Sequence, residues 1–276
     1  MKRCYLIGHP VEHSMSGVMH NAAFINMGLD MEYILAPVLP GNLRRFMRED
    51  ISQEDVAGAN VTIPHKVAVM SLLDEVEGEA KEIGAVNTIV NEAGHLKGYN
   101  TDGAGATKAL HEAYGPLEGA RVVLLGAGGA ARALVYYLTR EAESLVILNR
   151  DPLKAKLIAD RAQGRGAGVR WGGLDQIDVR DADILVNSTP VGMFPNSGAS
   201  PVDPRCLHGG LLVFDLVYNP VKTRLLEDAE RAGARTLSGV SMLLYQGAEA
   251  FKLWTGLGAP TEVMREAVLA ELEASH

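Results

Sequence analysis

Residues 121–131 read "RVVLLGAGGAA", and this stretch decides the fold class. Its first five residues form a continuous apolar run of the length expected for a buried parallel strand. The next six fit the pattern G-x-G-x-x-[GA], and a helical stretch over 130–139 follows at once. Strand, glycine turn and helix in this order predict a βα unit that holds a pyrophosphate on the helix N-terminus. The glycine turn comprises Gly126, Ala127, Gly128, Gly129, Ala130 and Ala131.

Strand-like and helical segments alternate on both sides of this stretch, which predicts an α/β fold with mostly parallel sheets. Five strand-like segments over 121–216 have the order of a nucleotide-binding domain, so we predict such a domain over 103–240. A second α/β domain is predicted over 1–102 plus 241–276, because the last two helical segments have no strand after them. The sequence therefore predicts two domains.

Composition excludes several function classes. The net charge is -8, and no cluster of Lys and Arg occurs, so nucleic acid is not an expected partner. No apolar run is long enough to span a bilayer, and the N-terminal one is too short for a signal peptide. Cys4 and Cys206 are far apart and outside any paired-cysteine motif, which predicts neither a metal site nor a disulfide. We expect a soluble cytoplasmic protein.

The residues after the second strand of the nucleotide-binding domain bear on the choice of cofactor. An NAD enzyme usually has an acidic residue there, whereas this chain has Asn149-Arg150, with Lys154 one helical turn further on. Cations at this position suit a 2′-phosphate and favour NADP. Asp151 lies between them and would repel a phosphate if it faced the pocket, and ordinary solvated charges remain the alternative.

Three polar clusters in the first half of the chain follow predicted strands or precede helices. Such groups converge where parallel sheets bind ligands. Taken singly, each has a structural explanation, such as a helix cap, a backbone contact or a surface lysine. The clusters contain Ser14 and Ser16; Asn60, Thr62, His65 and Lys66; and Asn87, Asn100, Thr101 and Asp102.

Taken together, seven segments resemble the shikimate dehydrogenase family over nearly the whole chain. They are "HSMS" (13–16), "GANVTIPHK" (58–66), "GAVNT" (84–88), "NTDG" (100–103), "GAGGAA" (126–131), "NRDPLKA" (149–155) and "SMLLYQGAEAF" (241–251). The resemblance implies an α/β substrate domain and a Rossmann-type NADP-binding domain, separated by a cleft. It also implies NADP-dependent, reversible reduction of 3-dehydroshikimate to shikimate, in chorismate and aromatic amino-acid biosynthesis, by a monomer or homodimer.

The same resemblance implies roles for individual residues. Lys66 and Asp102 would be the catalytic pair, and the substrate would be bound by Ser14, Ser16, Thr62, Asn87, Tyr218 and Gln246. The cofactor would be bound by Gly126 to Ala131 at the pyrophosphate, by Asn149, Arg150 and Lys154 at the 2′-phosphate, and by Gly239 and Met242 near the nicotinamide. The family commonly has Thr or Ser where this chain has Asp151. His65 receives no catalytic role.

The hypothesis for the mechanism is that Lys66 exchanges a proton with the substrate oxygen, while Asp102 orients Lys66 and holds a substrate hydroxyl. A proton shared between Lys66 and Asp102 is the alternative. A quinate or dual quinate/shikimate dehydrogenase using NAD(P) is an alternative of the same class. A short-chain reductase is suggested by the letters Tyr218-x-x-x-Lys222, but Pro220 argues against the helix that this motif needs. A nucleotide-binding redox sensor without catalysis is the alternative from another class.

Overall fold

The computed structural model describes residues 1–274. It contains two compact units. Unit 1 comprises Met1–Gly105 together with the described residues from Leu244 onward, and unit 2 comprises Ala106–Leu243. Both junctions lie inside helices. The α/β fold with two mostly parallel sheets is confirmed.

The strands and helices are numbered in chain order. The strands are β1 Lys2–Gly8, β2 Met31–Pro37, β3 Val56–Val61, β4 Glu75–Val76, β5 Thr88–Glu92, β6 His95–Tyr99, β7 Arg121–Leu125, β8 Ser144–Leu148, β9 Gly168–Gly172, β10 Ile184–Asn187, β11 Leu212–Asp215 and β12 Arg235–Ser238. The α-helices are α1 Ser16–Asn26, α2 Leu43–Phe46, α3 Gly78–Ile83, α4 Asp102–Tyr114, α5 Gly129–Glu141, α6 Pro152–Ala162, α7 Arg224–Arg231, α8 Gly239–Thr255 and α9 Thr261–Ala274.

Unit 1 contains a six-stranded mixed sheet in the order β2-β1-β3-β5-β6-β4. Strand β1 is parallel to β2 and β3, whereas β5 is antiparallel to β3 and β6. The β5–β6 turn is stabilised by the Asn91 side chain, which accepts from the Gly94 N–H at 2.7 Å. Ala93 between them has the left-handed φ of 53°. Because β5 is antiparallel to β3, the start of β5 lies beside the end of β3.

Unit 2 contains six parallel strands in the order β12-β11-β10-β7-β8-β9. This is the doubly wound Rossmann order, in which the chain moves outward from β7 in both directions. The apolar side chains of β7, β10 and β11 pack with Leu225 and Leu226 of α7 in one core. Strand β12 was missed at the sequence level. It lies at the sheet edge, has four residues and only partial burial, so its apolar signal is weak.

The chain leaves the sheet directly after β3, where the Ile63 side chain is 66% exposed. The strand ends at Val61, and the Thr62 N–H makes a last bond to the Ile7 carbonyl at 2.8 Å. Pro64 has no N–H to continue the ladder, so the alternation that buries Val61 does not extend to Ile63.

Candidate active site

Lys66 and Asp102 form an ion pair in unit 1. The Lys66 Nζ donates to Asp102 Oδ2 at 2.5 Å, and the two side chains are 15% and 5% exposed. The backbone around the lysine is held from two sides, because the Val86 N–H donates to the Lys66 carbonyl at 2.8 Å and the buried His65 ring contacts the Val38 carbonyl at 2.6 Å. The ammonium is thus fixed on a buried carboxylate while part of the side chain stays accessible.

Asp102 is the first residue of α4 but does not cap it. The Asn100 side-chain oxygen accepts from the N–H groups of Asp102 at 3.1 Å and Gly103 at 3.4 Å, so Asn100 fills that role. The Asp102 carboxylate is therefore available for side chains, and its second oxygen accepts from Asn87 Nδ2 at 2.9 Å. A negative charge in the first turn of a helix is also favoured by the helix dipole.

Asn87 connects the ion pair to two further elements. Its side-chain oxygen accepts from the Thr101 N–H at 2.7 Å, and its Nδ2 lies 3.5 Å from Gln246 Oε1 on α8. Helices α4 and α8 approach closely here, because a Cβ on Gly105 would lie 2.6 Å from the Gln246 nitrogen. Lys66, Asn87, Asp102 and Gln246, which were singled out separately in the sequence, form one connected buried cluster.

The other substrate-site candidates of unit 1 follow neighbouring parallel strands. Ser14 and Ser16 follow β1, and Thr62 follows β3, so all three lie beyond the same edge of the sheet. Ser14 is half-buried, and its Oγ accepts from the N–H of the buried Ser16 at 3.3 Å. Gly8 makes room for Thr62, since a Cβ there would lie 2.3 Å from the Thr62 methyl.

The glycine loop of unit 2 has the shape that a bound pyrophosphate requires. Gly126 has a φ of 111°, and a Cβ there would lie 2.4 Å from Ser188 Oγ at the end of β10. Gly128 precedes α5, which has no side-chain cap, and nothing lies within 4 Å of a Cβ built on Gly128. The first N–H groups of α5 are consequently open to an anion, while Ala131 is fully buried against the sheet.

The predicted 2′-phosphate residues lie at the start of α6. Arg150 and Lys154 are exposed, and within residues 1–274 neither forms an ion pair. Asp151 is the N-cap of α6, where its carboxylate accepts from the Leu153 N–H at 3.1 Å. Asn149 Nδ2 donates to the Asp151 carbonyl at 3.0 Å. Because the Asp151 charge is directed at the helix N-terminus, two cations remain to attract a phosphate.

Unit 2 also holds a polar cluster that sequence reasoning missed. Asp215 ends β11 and has no exposed surface; it accepts from Thr223 Oγ1 at 2.6 Å, Asn187 Nδ2 at 2.9 Å and the Val217 N–H at 3.1 Å. Burial raises the pKa of Asp215, and the three hydrogen bonds oppose that shift. The sequence signal that could have revealed this cluster is a polar residue at the carboxyl end of each of two adjacent strands, Asn187 of β10 and Asp215 of β11. The cluster fixes the chain before Tyr218.

The remaining candidates lie after β11 and at the start of α8. Tyr218 is half-buried. Gly239 begins α8 so close to the preceding loop that a Cβ would lie 2.3 Å from the Leu216 carbonyl oxygen. Met242 follows one turn later and is 8% exposed. Among the described residues, no group of three or more His, Cys, Asp or Glu side chains could hold a metal ion, and no helix is long and apolar enough to cross a membrane.

A Rossmann-type sheet with an open glycine loop, together with a buried lysine–aspartate pair, defines the class of nicotinamide-dependent dehydrogenases. Three family models match the chain. They are "Shikimate dehydrogenase substrate binding domain" over residues 6–89, "Shikimate / quinate 5-dehydrogenase" over 108–194, and "Shikimate 5'-dehydrogenase C-terminal domain" over 239–269.

Individual relatives agree with these models. A shikimate dehydrogenase (NADP(+)) of Methanopyrus kandleri is 51% identical over 97% of this chain and 94% of its own. The crystal structure of the Thermus thermophilus shikimate 5-dehydrogenase with NADP(H) and shikimate has a TM-score of 0.88 and 37% identity, over 98% of this chain and 99% of that one. A Corynebacterium glutamicum quinate dehydrogenase with NAD also has a TM-score of 0.88, at 33% identity, over 98% and 99%. The chain belongs to the shikimate dehydrogenase family.

Proposed function

We propose that this protein catalyses the NADP-dependent, reversible reduction of 3-dehydroshikimate to shikimate, the step that the family performs in chorismate biosynthesis. The observation that carries the proposal is the pair of Lys66 and Asp102, with Nζ and Oδ2 2.5 Å apart. A ketone that accepts a hydride needs a proton donor at its oxygen, and an ammonium held at a buried carboxylate is such a donor.

The cofactor is NADP, which when bound supplies the hydride in one direction and accepts it in the other. The residues of unit 2 fit it. The uncapped N-terminus of α5 suits the pyrophosphate, and Arg150 and Lys154, with Asn149 beside them, suit the 2′-phosphate. Gly126 to Ala131 form the loop that the pyrophosphate approaches, and we assign Gly239 and Met242 to the nicotinamide end. Unit 2 is thereby proposed as the NADP-binding domain.

Unit 1 is proposed as the substrate-binding and catalytic domain. Ser14 and Ser16 bind the substrate carboxylate through their hydroxyls. Thr62, Asn87 and Gln246 lie around ring hydroxyls or the carboxylate, and Tyr218 of unit 2 borders the substrate. Lys66 delivers the proton to the C3 oxygen during reduction and removes it during oxidation. Asp102 orients the ammonium and accepts from a substrate hydroxyl.

The alternatives carry less weight. Quinate differs from shikimate by a hydroxyl on the carbon that bears the carboxylate, and two serines beside that carboxylate favour shikimate. Free cations at Arg150 and Lys154 favour NADP over NAD. The buried ion pair of Lys66 and Asp102 argues against a redox sensor without catalysis. A buried ion pair has a large desolvation cost, and a protein without catalysis would have no use for the pair that offsets this cost.

The test is an absorbance assay at the band of reduced nicotinamide, with shikimate or quinate crossed against NADP or NAD. We expect the highest kcat/KM for shikimate with NADP. A higher value for quinate with NAD would replace the proposal by its closest alternative. Absence of turnover in all four combinations, together with saturable NADPH binding, would support the redox sensor.

A further inference from the structure

A continuous chain of buried side-chain hydrogen bonds leads from Tyr33 on β2 to the catalytic pair. The Tyr33 hydroxyl donates to Asn60 Oδ1 at 2.8 Å, and Asn60 Nδ2 donates to Thr88 Oγ1 at 3.0 Å. The Thr88 hydroxyl donates to Asn87 Oδ1 at 3.0 Å, and Asn87 Nδ2 donates to Asp102 Oδ1 at 2.9 Å. The chain therefore crosses the sheet from β2 through β3 and β5 to the start of α4.

Two backbone contacts fix the orientation of both amides in this chain. The Thr101 N–H donates to Asn87 Oδ1 at 2.7 Å, so the Asn87 amide must turn its NH₂ toward Asp102. Asn60 Nδ2 also donates to the Asn87 carbonyl at 3.2 Å, so the Asn60 oxygen must face Tyr33. The Tyr33 hydroxyl and the two amide NH₂ groups consequently point toward Asp102. The Thr88 hydroxyl lies 3.0 Å from Asn87 Oδ1 and also 3.3 Å from Thr101 Oγ1. Hydrogen bonds aligned head to tail polarise one another, and a carboxylate at the end of such a row is stabilised in its ionised form.

We propose that Thr88 and Asn60, anchored by Tyr33, are positioning residues that hold Asp102 as an ionised acceptor for the Lys66 ammonium. The proposal rests on the proposed function and deepens it. It assigns the exchanged proton to Lys66, because a carboxylate that receives donors at both oxygens is kept as an acceptor. The role of Asn60 and Thr88 is to act through Asn87 and Asp102, and neither is assigned to substrate here.

Burial makes the chain depend on these particular side chains. Tyr33, Asn60, Asn87 and Thr88 have exposed fractions of 3%, 4%, 2% and 0%, so bulk water cannot replace a lost donor. A hydroxyl removed from the middle leaves an amide oxygen with one donor fewer and an amide NH₂ with one acceptor fewer. The row is then broken at a known place while its two ends stay in position.

The charged and titratable groups around the chain are few. Lys66 is the charged group that donates to the Asp102 carboxylate, and its other donor is the neutral Asn87 amide. The neutral Asn100 side chain accepts from the Asp102 backbone N–H. At the far end, the His20 ring stacks on the Tyr33 ring with centroids 4.6 Å apart. Burial lowers the pKa of His20 to about 3, so it is neutral throughout the range of an activity assay.

The decisive pair of variants is Thr88→Val and Thr88→Ser. Valine keeps the volume and the β-branched shape suited to β5 but has no hydroxyl, whereas serine keeps the hydroxyl. For Thr88→Val we expect kcat to fall about tenfold, because the row that holds the Asp102 carboxylate is broken. Thr88→Ser should restore kcat, and the KM for NADPH should not change.

A second variant and a second measurement keep the proposal open to refutation should Thr88→Val fold poorly. Tyr33→Phe removes the first donor of the row, four bonds from Asp102, and should lower kcat by about twofold to threefold. The second measurement is the KM for NADPH, which we expect to be unchanged in Tyr33→Phe.

The outcomes separate this proposal from the proposed function. If the wild-type protein turns over shikimate with NADP and folded Thr88→Val shows a kcat within twofold of wild type, the positioning role is overturned and the function stands. A fall in kcat that Thr88→Ser does not restore would mean that Thr88 only supports packing, and it would also overturn the proposal. A wild-type protein inactive on shikimate would refute the function itself.

Discussion

Asp102 of unit 1 and Asp215 of unit 2 are both buried and accept several hydrogen bonds, and they differ in the charge of their donors. Asp102 of unit 1 accepts from a lysine and an amide, and Asp215 of unit 2 accepts from a hydroxyl, an amide and a backbone N–H. Burial and good hydrogen bonding are common to both. Of these two aspartates, Asp102 has a cationic partner that is partly accessible, so its site can pass a proton to a bound molecule, whereas the donors to Asp215 are neutral.

The largest expected effect concerns that cationic partner. Lys66→Ala removes the proton donor and leaves the Asp102 carboxylate without a counter-ion. We expect kcat to fall by about 10²-fold or more with little change in the KM for shikimate, the usual scale for the loss of a general acid or base. Steady-state kinetics with circular dichroism as a check on folding make the measurement. Near wild-type turnover in a folded variant would remove Lys66 from the mechanism.

The same isosteric change in both aspartates tests the comparison directly. Asp102→Asn removes the negative charge that orients the ammonium, and we expect kcat to fall about 10²-fold. Asp215→Asn keeps one carbonyl oxygen for the donors from Asn187 and Val217, so kcat should stay within about threefold of wild type. Equal losses in the two variants would mean that Asp215 also acts in catalysis and that the distinction between the units is wrong.

The sequence pattern revealed those parts of the candidate site whose residues are contiguous in the chain. The glycine turn and its flanking strand and helix could be located because their residues are contiguous, and their bounds agree closely with β7 and α5. The pairing of Lys66 with Asp102 was expected from the family resemblance, but the contacts through Asn87 that join the rest of the catalytic cluster were not. Asn87 lies 159 positions from Gln246, and the close approach that joins them depends on Gly105, which no pattern in the sequence marks.

The residues that were missed share a physical reason. Asn187, Asp215 and Thr223 hydrogen-bond across β10, β11 and the loop before α7, so their role exists only once the strands are adjacent. The Tyr33–Asn60–Thr88 chain likewise depends on strand order, and β5 enters the sheet antiparallel to β3. Asp151 was expected to weaken phosphate binding, and only the structure reveals its N-cap bond to Leu153.

Residues of unit 2 should affect binding of the cofactor, in contrast to the effect of Lys66 on turnover. Arg150→Ala removes one of two unpaired cations at the start of α6, and we expect the KM for NADPH to rise about tenfold, with kcat little changed. The KM for NADH should be unaltered because NADH has no 2′-phosphate. Arg180→Ala is the matched control, since Arg180 is an exposed arginine already paired with Asp178 at 2.5 Å.

An equal rise in the KM for NADPH and for NADH would contradict this assignment. It would place Arg150 at a part of the cofactor that both nucleotides share, such as the pyrophosphate, and Lys154 would then be the remaining candidate for the 2′-phosphate. A rise in the Arg180→Ala control would point instead to long-range attraction by the net charge of the unit.

The smallest expected effect is on the pH dependence of stability, and it follows from the missing cation at Asp215. Burial raises the pKa of Asp215 above its value in the unfolded chain. Its stabilising contribution is therefore complete below the unfolded value of about 4 and is lost as the pH rises through the raised value. Asp215→Asn has no charge to bury, so it should become more stable relative to wild type as the pH rises from acid to neutral. The difference in the free energy of unfolding, variant minus wild type, should therefore increase.

Urea unfolding followed by tryptophan fluorescence at several pH values measures this difference. Asp178→Asn is a control of opposite sign, because the hydrogen bond from Arg180 lowers the pKa of the exposed Asp178 to about 2 and any contribution is lost as the pH falls. If the difference between Asp215→Asn and wild type is the same at acid and at neutral pH, Asp215 is not destabilised by its charge. The three neutral donors would then be as effective at holding a buried carboxylate as the lysine is at Asp102.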